Sequence, residues 1–449
     1  MAVDLAPDAI DLRPGTVAAP MTRARWTVCA LLFFATTINY IDRQILSLVK
    51  ESLDRELHWT NSDFGLVNSA FQLTYALSLL GFGWFVDRFG TKVGYAVSIT
   101  LWSLAAMGHG LVTTARGFIA ARMCLGFGEA GNFPSAIKTV ALWFPKRDRA
   151  LATSLFNSGA NVGAIVAPAT VPFIVAAFGW RAAFVFAGAA GLVWLAFWLV
   201  LYKAPERSRR ASAAELAYVR GDADEAAQER PVTWRQMLGY RQAWAFVVAK
   251  MLTDPVWWFF LIWLPDYFKK TRGLDLAHSW LLLVTIYSIV TVLSVLGGWV
   301  TGHWVERGWS VTRARKTGMF IFALCAVPIM AATHVGNWTA VLLIGLAGAA
   351  HQAWSATIYT TVSDTFPKPA VASVVGLGGM AGSFGGFLFP LFTGRLIDAA
   401  VKAGNPTAGY TVLFTMCGSA YLVAFALHHL LAPRLEQVTI VAQPALAVV

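Results

Sequence analysis

The chain has 449 residues, 57% of them hydrophobic and only 13% charged, with a formal net charge of +11. A soluble protein of this length would carry roughly twice that share of charge, so a polytopic helical membrane protein is expected. Nucleic acid is excluded as a partner, because the basic residues collect on no single face or tail and sit in the short loops between apolar runs.

The first run, Trp26 to Val49, can cross a bilayer, which takes about 20 apolar residues. No cleavable leader precedes it, so it is expected to be retained. It contains Thr36-Thr37-Ile38-Asn39-Tyr40-Ile41-Asp42-Arg43-Gln44, with two full charges far from either end. A charge at that depth costs about 2.5–3.5 kcal/mol on insertion scales. The two charges are therefore either a neutralised lock between helices or part of a buried ion or substrate site.

Eleven more spans follow, giving twelve at about 26–49, 64–86, 93–114, 117–142, 150–177, 181–202, 242–268, 279–303, 316–335, 338–363, 370–398 and 408–431. With both termini in the cytoplasm, and with Arg181, Lys316 and Arg395 at span ends counted in the adjoining loops, 22 Lys and Arg fall inside, 9 outside and 4 within spans. That asymmetry supports an inside N-terminus. The domains expected are an N-terminal six-helix half at 1–202, a linker at 203–241, a C-terminal half at 242–433 and a cytoplasmic tail at 434–449. The linker reads as solvated, with a short amphipathic helix near Ala213–Gln228. Cys29, Cys124, Cys325 and Cys417 stand singly inside spans, without metal or disulfide spacing, and read as small core residues.

The halves repeat. Phe144-Pro145-Lys146 precedes Pro168 by the same offset at which Phe366-Pro367-Lys368 precedes Pro390, and Gly163 matches Gly385. Gly179-Trp180-x3-Phe184-x3-Gly188 is echoed by Gly409-Tyr410-x3-Phe414-x3-Gly418. Internal repeats of this size mark transporters whose site lies between the halves near the midplane.

The loop after span two reads Gly83-Trp84-Phe85-Val86-Asp87-Arg88-Phe89-Gly90-Thr91-Lys92. It resembles the G-x-x-x-D-R-x-G-x-[RK] signature of the major facilitator superfamily. The resemblance implies an all-α fold of twelve transmembrane helices in two pseudo-symmetric six-helix halves. It also implies that Gly83, Asp87, Arg88 and Gly90 form a cytoplasmic gate latch. Physically, Asp87 can cap the next helix and Gly90 permits the tight turn.

Asn39-Tyr40-Ile41-Asp42-Arg43, with Arg122-x6-Glu129 in span four, is similar to the anion:cation symporter branch of that superfamily. Arg122 and Glu129 lie about two turns apart and share a helix face. The resemblance implies that Asp42, Arg43, Arg122 and Glu129 form a charged core coupling protons to organic-anion uptake, with Tyr40 and Tyr75 facing substrate. Within the branch, Lys250-Met251-Leu252-Thr253-Asp254-Pro255-Val256-Trp257-Trp258-Phe259-Phe260 and Ala350-His351-Gln352-Ala353-Trp354-Ser355 resemble bacterial hexuronate transporters. Hexonate and glucarate carriers share much of this pattern.

The residue chemistry points the same way. A sugar acid needs a fixed cation for its carboxylate, and Arg43 can bind one bidentately. Lys250, in the opposite half, can be a second cation. Tyr40, Tyr75, Asn157, Asn161, Gln352 and Ser355 can serve hydroxyls, and Trp257 or Trp354 can pack a sugar face. Proton coupling is expected at Glu129 first, with Arg122 beside it, and at Asp42 second, since neighbouring Arg43 favours the charged form of Asp42. Protonated Glu129 would free Arg122 or Arg43 for the substrate anion. Bland readings stand beside these. Lys138 snorkels; Asp254 serves backbone groups freed by Pro255 or pairs with Lys250; His351 is a packing histidine or a proton relay; Asn157 and Asn161 bond between helices. The glycines from 376 to 386 allow close packing of span eleven, and His428-His429 is interfacial.

A membrane enzyme would need a nucleophile, metal or phosphate-loop constellation, and none is present. A transporter-like sensor would carry a larger soluble domain than the tail after Pro433. The expectation is therefore proton-coupled symport of an organic anion, a hexuronate first, by alternating access. Another organic anion (hexonate, glucarate or aromatic carboxylate) and sodium coupling are the alternatives. No cofactor or metal is expected. The partners are a small organic anion, protons and the lipid bilayer of a bacterial inner membrane, around a monomer.

Overall fold

The computed structural model describes residues 21–220, 234–366 and 368–438, and every regular element among them is helical. This follows from the solvent: in hydrocarbon a backbone must satisfy its own polar groups, and helices do so within one segment. The N-terminal half holds α1 (Ala24–Leu48), α2 (Lys50–Leu57), α3 (Asn61–His109), α4 (Ala115–Glu129), α5 (Asn132–Trp143), α6 (Lys146–Phe178) and α7 (Trp180–Leu201). The connection carries α8 (Ala213–Arg220) and α9 (Trp234–Met237). The C-terminal half holds α10 (Arg241–Arg272), α11 (Leu276–Glu306), α12 (Val311–Ala326), α13 (Asn337–Thr365), α14 (Lys368–Lys402) and α15 (Pro406–Leu431).

Among the described residues eight helices are long and apolar enough to cross a membrane by themselves. The other four crossings are the two arms of α3, the broken pair α4–α5, and α11. Spans two and three thus run together as one helix across Gly90, whose φ of +81° is strained for any L side chain. Span four breaks at Ala130 and Gly131, directly after Glu129. Pro134 then falls in the first turn of α5, where its missing N–H costs least. Side-chain caps start several helices: Thr60 and Asp63 form a capping box on α3, and Asp275, Ser310 and Asn405 cap α11, α12 and α15.

The repeat is realised in packing. Gly163 of α6 lies against Thr37 and Tyr40 of α1, and Gly385 of α14 lies against Met251 and Pro255 of α10. Helices α1 and α10 are therefore equivalent members of the two halves. Gly378, Gly382 and Gly386 also face α10, whereas Gly376 and Gly379 face open space.

The end of the bundle where α1 starts and α15 stops is the termini end; the opposite end is distal. At the distal end the halves meet. Asp398 of α14 accepts from the Asn61 and Ser62 backbone N–H groups at 2.9 and 2.8 Å. Lys50 pairs with Asp266 at 3.0 Å, and Ser69 donates to the Phe387 carbonyl at 2.7 Å.

Four expectations need correction. Glu215 of α8 is wholly buried and accepts from the first N–H groups of α1, at Ala24 and Arg25. The linker is therefore docked at that point, because α1 needs acceptors for its unpaired N-terminal donors. Only Ala213–Arg220 of the expected linker helix lies in the described residues. Lys138 does not snorkel; its Nζ donates to the Val86 carbonyl at 3.1 Å. His428 is buried and bonded to Lys316 at 2.8 Å, so only His429 is at the surface. Cys124 is exposed, on the outer face of α4, and is not a core residue.

Candidate functional site

Helix α1 carries the centre of the N-terminal half. Arg43 Nε donates to Glu129 Oε2 on α4 at 2.6 Å, with both side chains buried. Arg122, on the face it shares with Glu129, is buried beside them, and its guanidinium approaches the Arg43 carbonyl at 3.5 Å. Asp42 departs from expectation. It is buried, yet among the described residues neither carboxylate oxygen has a hydrogen-bond partner. Successive side chains diverge by about 100° around a helix, so Arg43 bonds Glu129 while Asp42, though within electrostatic reach of Glu129 and Arg122, makes no hydrogen bond among the described residues. The partner of Arg43 is Glu129, three helices further along the chain, and not its neighbour in sequence.

Aromatic rings enclose the guanidinium. Its carbon lies 4.7 Å from the Tyr75 ring centre, 5.2 Å from Tyr40 and from Phe71, and 5.4 Å from Trp258. Each such contact is worth about 0.5–2 kcal/mol, most where water is excluded. Trp258 comes from α10, so the enclosure is built by both halves. Gly386 of α14 makes room for it, since a Cβ there would press on the Trp258 indole.

In the C-terminal half Lys250 Nζ lies 2.8 Å from Asp254 Oδ2 and 4.6 Å from the Tyr359 ring centre. His351 bonds to Tyr421 at 2.7 Å and stacks on Trp257 at 5.5 Å, which supports the packing reading of that histidine. Trp354 is fully buried, edge-on against Tyr421. Gln352 and Ser355 are half-buried on α13, Asn161 is half-buried on α6, and Asn157 is exposed. The signature loop is remote from these groups: Gly83 faces open space, Arg88 is exposed, and the Asp87 side chain lies outside what is described.

The arrangement is thus a buried cation held by one carboxylate, caged by rings from two halves of a twelve-helix bundle. A model of the Major Facilitator Superfamily matches residues 32–390. The chain belongs to that superfamily. It is a multi-pass membrane transporter and not an enzyme. The hexuronate transporter of Escherichia coli (strain K12) is 27% identical over 399 residues, covering 87% of this chain and 90% of that protein. The "Probable galactarate/D-glucarate transporter" of Bacillus subtilis (strain 168) is 29% identical over 406 residues, covering 87% and 89%. Among solved structures, a bacterial homologue of the human lysosomal transporter Spinster, inward-facing and occupied, superposes with a TM-score of 0.72 at 18% identity, covering 91% of this chain and 97% of that one. That likeness concerns the fold alone.

Two groups of this facilitator's residues escape a reading of the sequence. Trp258 and Phe71 complete the cage around Arg43, yet nothing in their local sequence separates Trp258 from Trp257, its neighbour about 100° around the helix. Lys50, Asp266 and Lys270 form a charged cluster at the distal end, beside a cavity of about 650 Å³ that Ser47, Glu51 and Ser279 also line. The available signal was Asp266 four residues before Lys270 on one helix, the favourable order for a pair.

Proposed function

We propose that this facilitator is a proton-coupled symporter of a sugar-acid anion, working by alternating access in the bacterial inner membrane with both termini in the cytoplasm. The observation that carries the reading is the Arg43–Glu129 pair at 2.6 Å, buried where both halves meet around it. A desolvated guanidinium has to keep an anionic partner. Protonation of Glu129 weakens the pair and releases Arg43 to a substrate carboxylate; loss of the proton restores it. The groups facing Glu129 are Arg43, Arg122 and Asp42, and Asp42, buried without a hydrogen-bond partner among the described residues, is the alternative proton carrier in place of Glu129. The sugar-acid class is supported by the relatives named for hexuronate and for galactarate and D-glucarate. The excess of Lys and Arg in the loops of the termini end supports the orientation.

The test is uptake of labelled galacturonate and galactarate into proteoliposomes under an inward proton gradient. Concentrative uptake abolished by an uncoupler is expected. With Glu129→Gln, Arg43 is released at every pH, so exchange of galacturonate continues while the gradient no longer drives its accumulation. Galacturonate uptake in Glu129→Gln that still follows the imposed gradient would remove Glu129 from coupling. No uptake of any sugar acid by a folded preparation would sink the reading.

A further inference from the structure

Lys250 and Asp254 lie one turn apart on α10, inside the C-terminal half, with side chains 6% and 19% exposed. Their order is the less favourable one for a pair on a helix, which prefers the acid on the N-terminal side. A buried ion pair is also a poor device for stability, because desolvation of two charges offsets their attraction. The surroundings are nevertheless fitted to this pair. A Cβ at Gly382 of α14 would occupy the place of the Asp254 carboxylate. The Tyr359 ring covers the Lys250 ammonium. The titratable groups facing the pair from other helices are Tyr40 of α1, His351 and Tyr359 of α13, and Tyr421 of α15, and none of these is a carboxylate or a fixed cation.

The C-terminal half therefore repeats what Arg43 and Glu129 form in the N-terminal half: one cation held by one carboxylate. The two pairs border the same region. Tyr40 lies against Arg43 and within electrostatic reach of Asp254, and Trp258, one turn beyond Asp254, closes the cage around Arg43.

We infer that Asp254 is a second proton-carrying carboxylate, and that the transported anion is a sugar diacid with one carboxylate on Arg43 and the other on Lys250. This rests on the proton-coupled sugar-acid reading and selects a member of that class. A hydroxyl cannot replace a carboxylate on a desolvated ammonium without leaving its charge uncompensated. A monoacid therefore displaces Glu129 alone and leaves the Lys250–Asp254 pair closed. A diacid displaces both carboxylates. Each takes a proton from the side where substrate enters and returns it on the side where substrate leaves. Two negative charges and two protons cross together, so charge balances, as it does for a monoacid with one proton.

The experiment uses the full chain in proteoliposomes and measures the substrate gradient that balances an imposed pH gradient. The expected ratio is two protons per galactarate and one per galacturonate, and Asp254→Asn lowers the galactarate ratio to one. Galactarate is expected to compete with labelled galacturonate at about tenfold lower concentration than unlabelled galacturonate, the gain from one further charge-assisted contact. Lys250→Met removes that advantage and Lys250→Arg recovers part of it. If Asp254→Asn does not fold, Gly382→Ala displaces the carboxylate without deleting it and lowers the same ratio. A ratio of one for galactarate in the unaltered protein, or one that Asp254→Asn leaves at two, overturns this inference; if galacturonate is still concentrated by the proton gradient, the sugar-acid reading stands. No uptake of either acid overturns both.

Discussion

Arg43 is the residue whose surroundings are most specific. One carboxylate holds its Nε, and four rings from α1, α3 and α10 surround its planar head. A lysine supplies charge without the fork or the flat face. Arg43→Lys is therefore expected to lower kcat/KM for uptake by about tenfold or more. Uptake kinetics within a factor of about two of the unaltered protein would show that the guanidinium geometry is unused. The two adjacent tryptophans should separate in the same assay. Trp258→Leu removes a cage wall and is expected to raise KM by about three- to thirtyfold, the worth of one desolvated cation–π contact. Trp257→Leu removes the stack on His351 and is expected to lower thermal stability with a smaller effect on KM. Equal effects on KM would mean that the cage is not what positions substrate.

At the scale of single elements, α1 depends on a segment that looks like a spacer. Its N-cap position is Arg23, which offers no side-chain cap, and Glu215 supplies the acceptors from outside the helix. Tyr218, one turn on in α8, reaches Asp148 at the start of α6 and carries Arg25 over its ring. Helix α8 thus ties together the starts of two helices of the N-terminal half. Glu215→Ala should destabilise the folded protein by about 1–2 kcal/mol, the range for losing a cap that also meets the positive end of a helix. The measurement is the thermal midpoint in detergent, compared with Glu206→Ala, which lies in the same connection and caps no membrane helix. Equal midpoints for the two variants would show that the buried carboxylate contributes nothing to α1.

At the scale of the whole molecule, the distal end is sealed by backbone as much as by charge. Gly65 lies on the Pro390 carbonyl and Gly394 on the Asn61 carbonyl, so α3 and α14 meet without side chains between them. Small residues at such crossings let membrane helices approach closely. Gly394→Leu cannot be accommodated there and should hold the distal end open. The check is maleimide labelling of Ser279→Cys, in the wall of the distal cavity, in a background without the four native cysteines. Labelling is expected to be slow with Gly394 and several-fold faster with Gly394→Leu, because the substitution shifts the population between two packings. Unchanged labelling would mean that the α3–α14 crossing does not control access to this end.

Length, composition and the spacing of apolar runs determined the class, the twelve crossings and the division into halves, because a bilayer leaves a chain few ways to satisfy its backbone. The repeat Phe-Pro-Lys to Pro matched Gly163 with Gly385, but the helices these glycines touch, α1 and α10, are known only from the packing. The four charges of the N-terminal half were singled out as a set by resemblance, and the cost of each in hydrocarbon made it worth placing. Their pairing was not legible. Asp42 and Arg43 are neighbours in sequence, and only the packing of α1 against α4 decides that Arg43 turns to Glu129 while Asp42 has no hydrogen-bond partner among the described residues. The same holds for Trp258 over Trp257 and for Glu215 beneath α1. Sequence sets which groups a helix carries and at what depth. Which of them meet depends on rotation and crossing of helices distant in the chain, and that is settled only when the bundle is assembled.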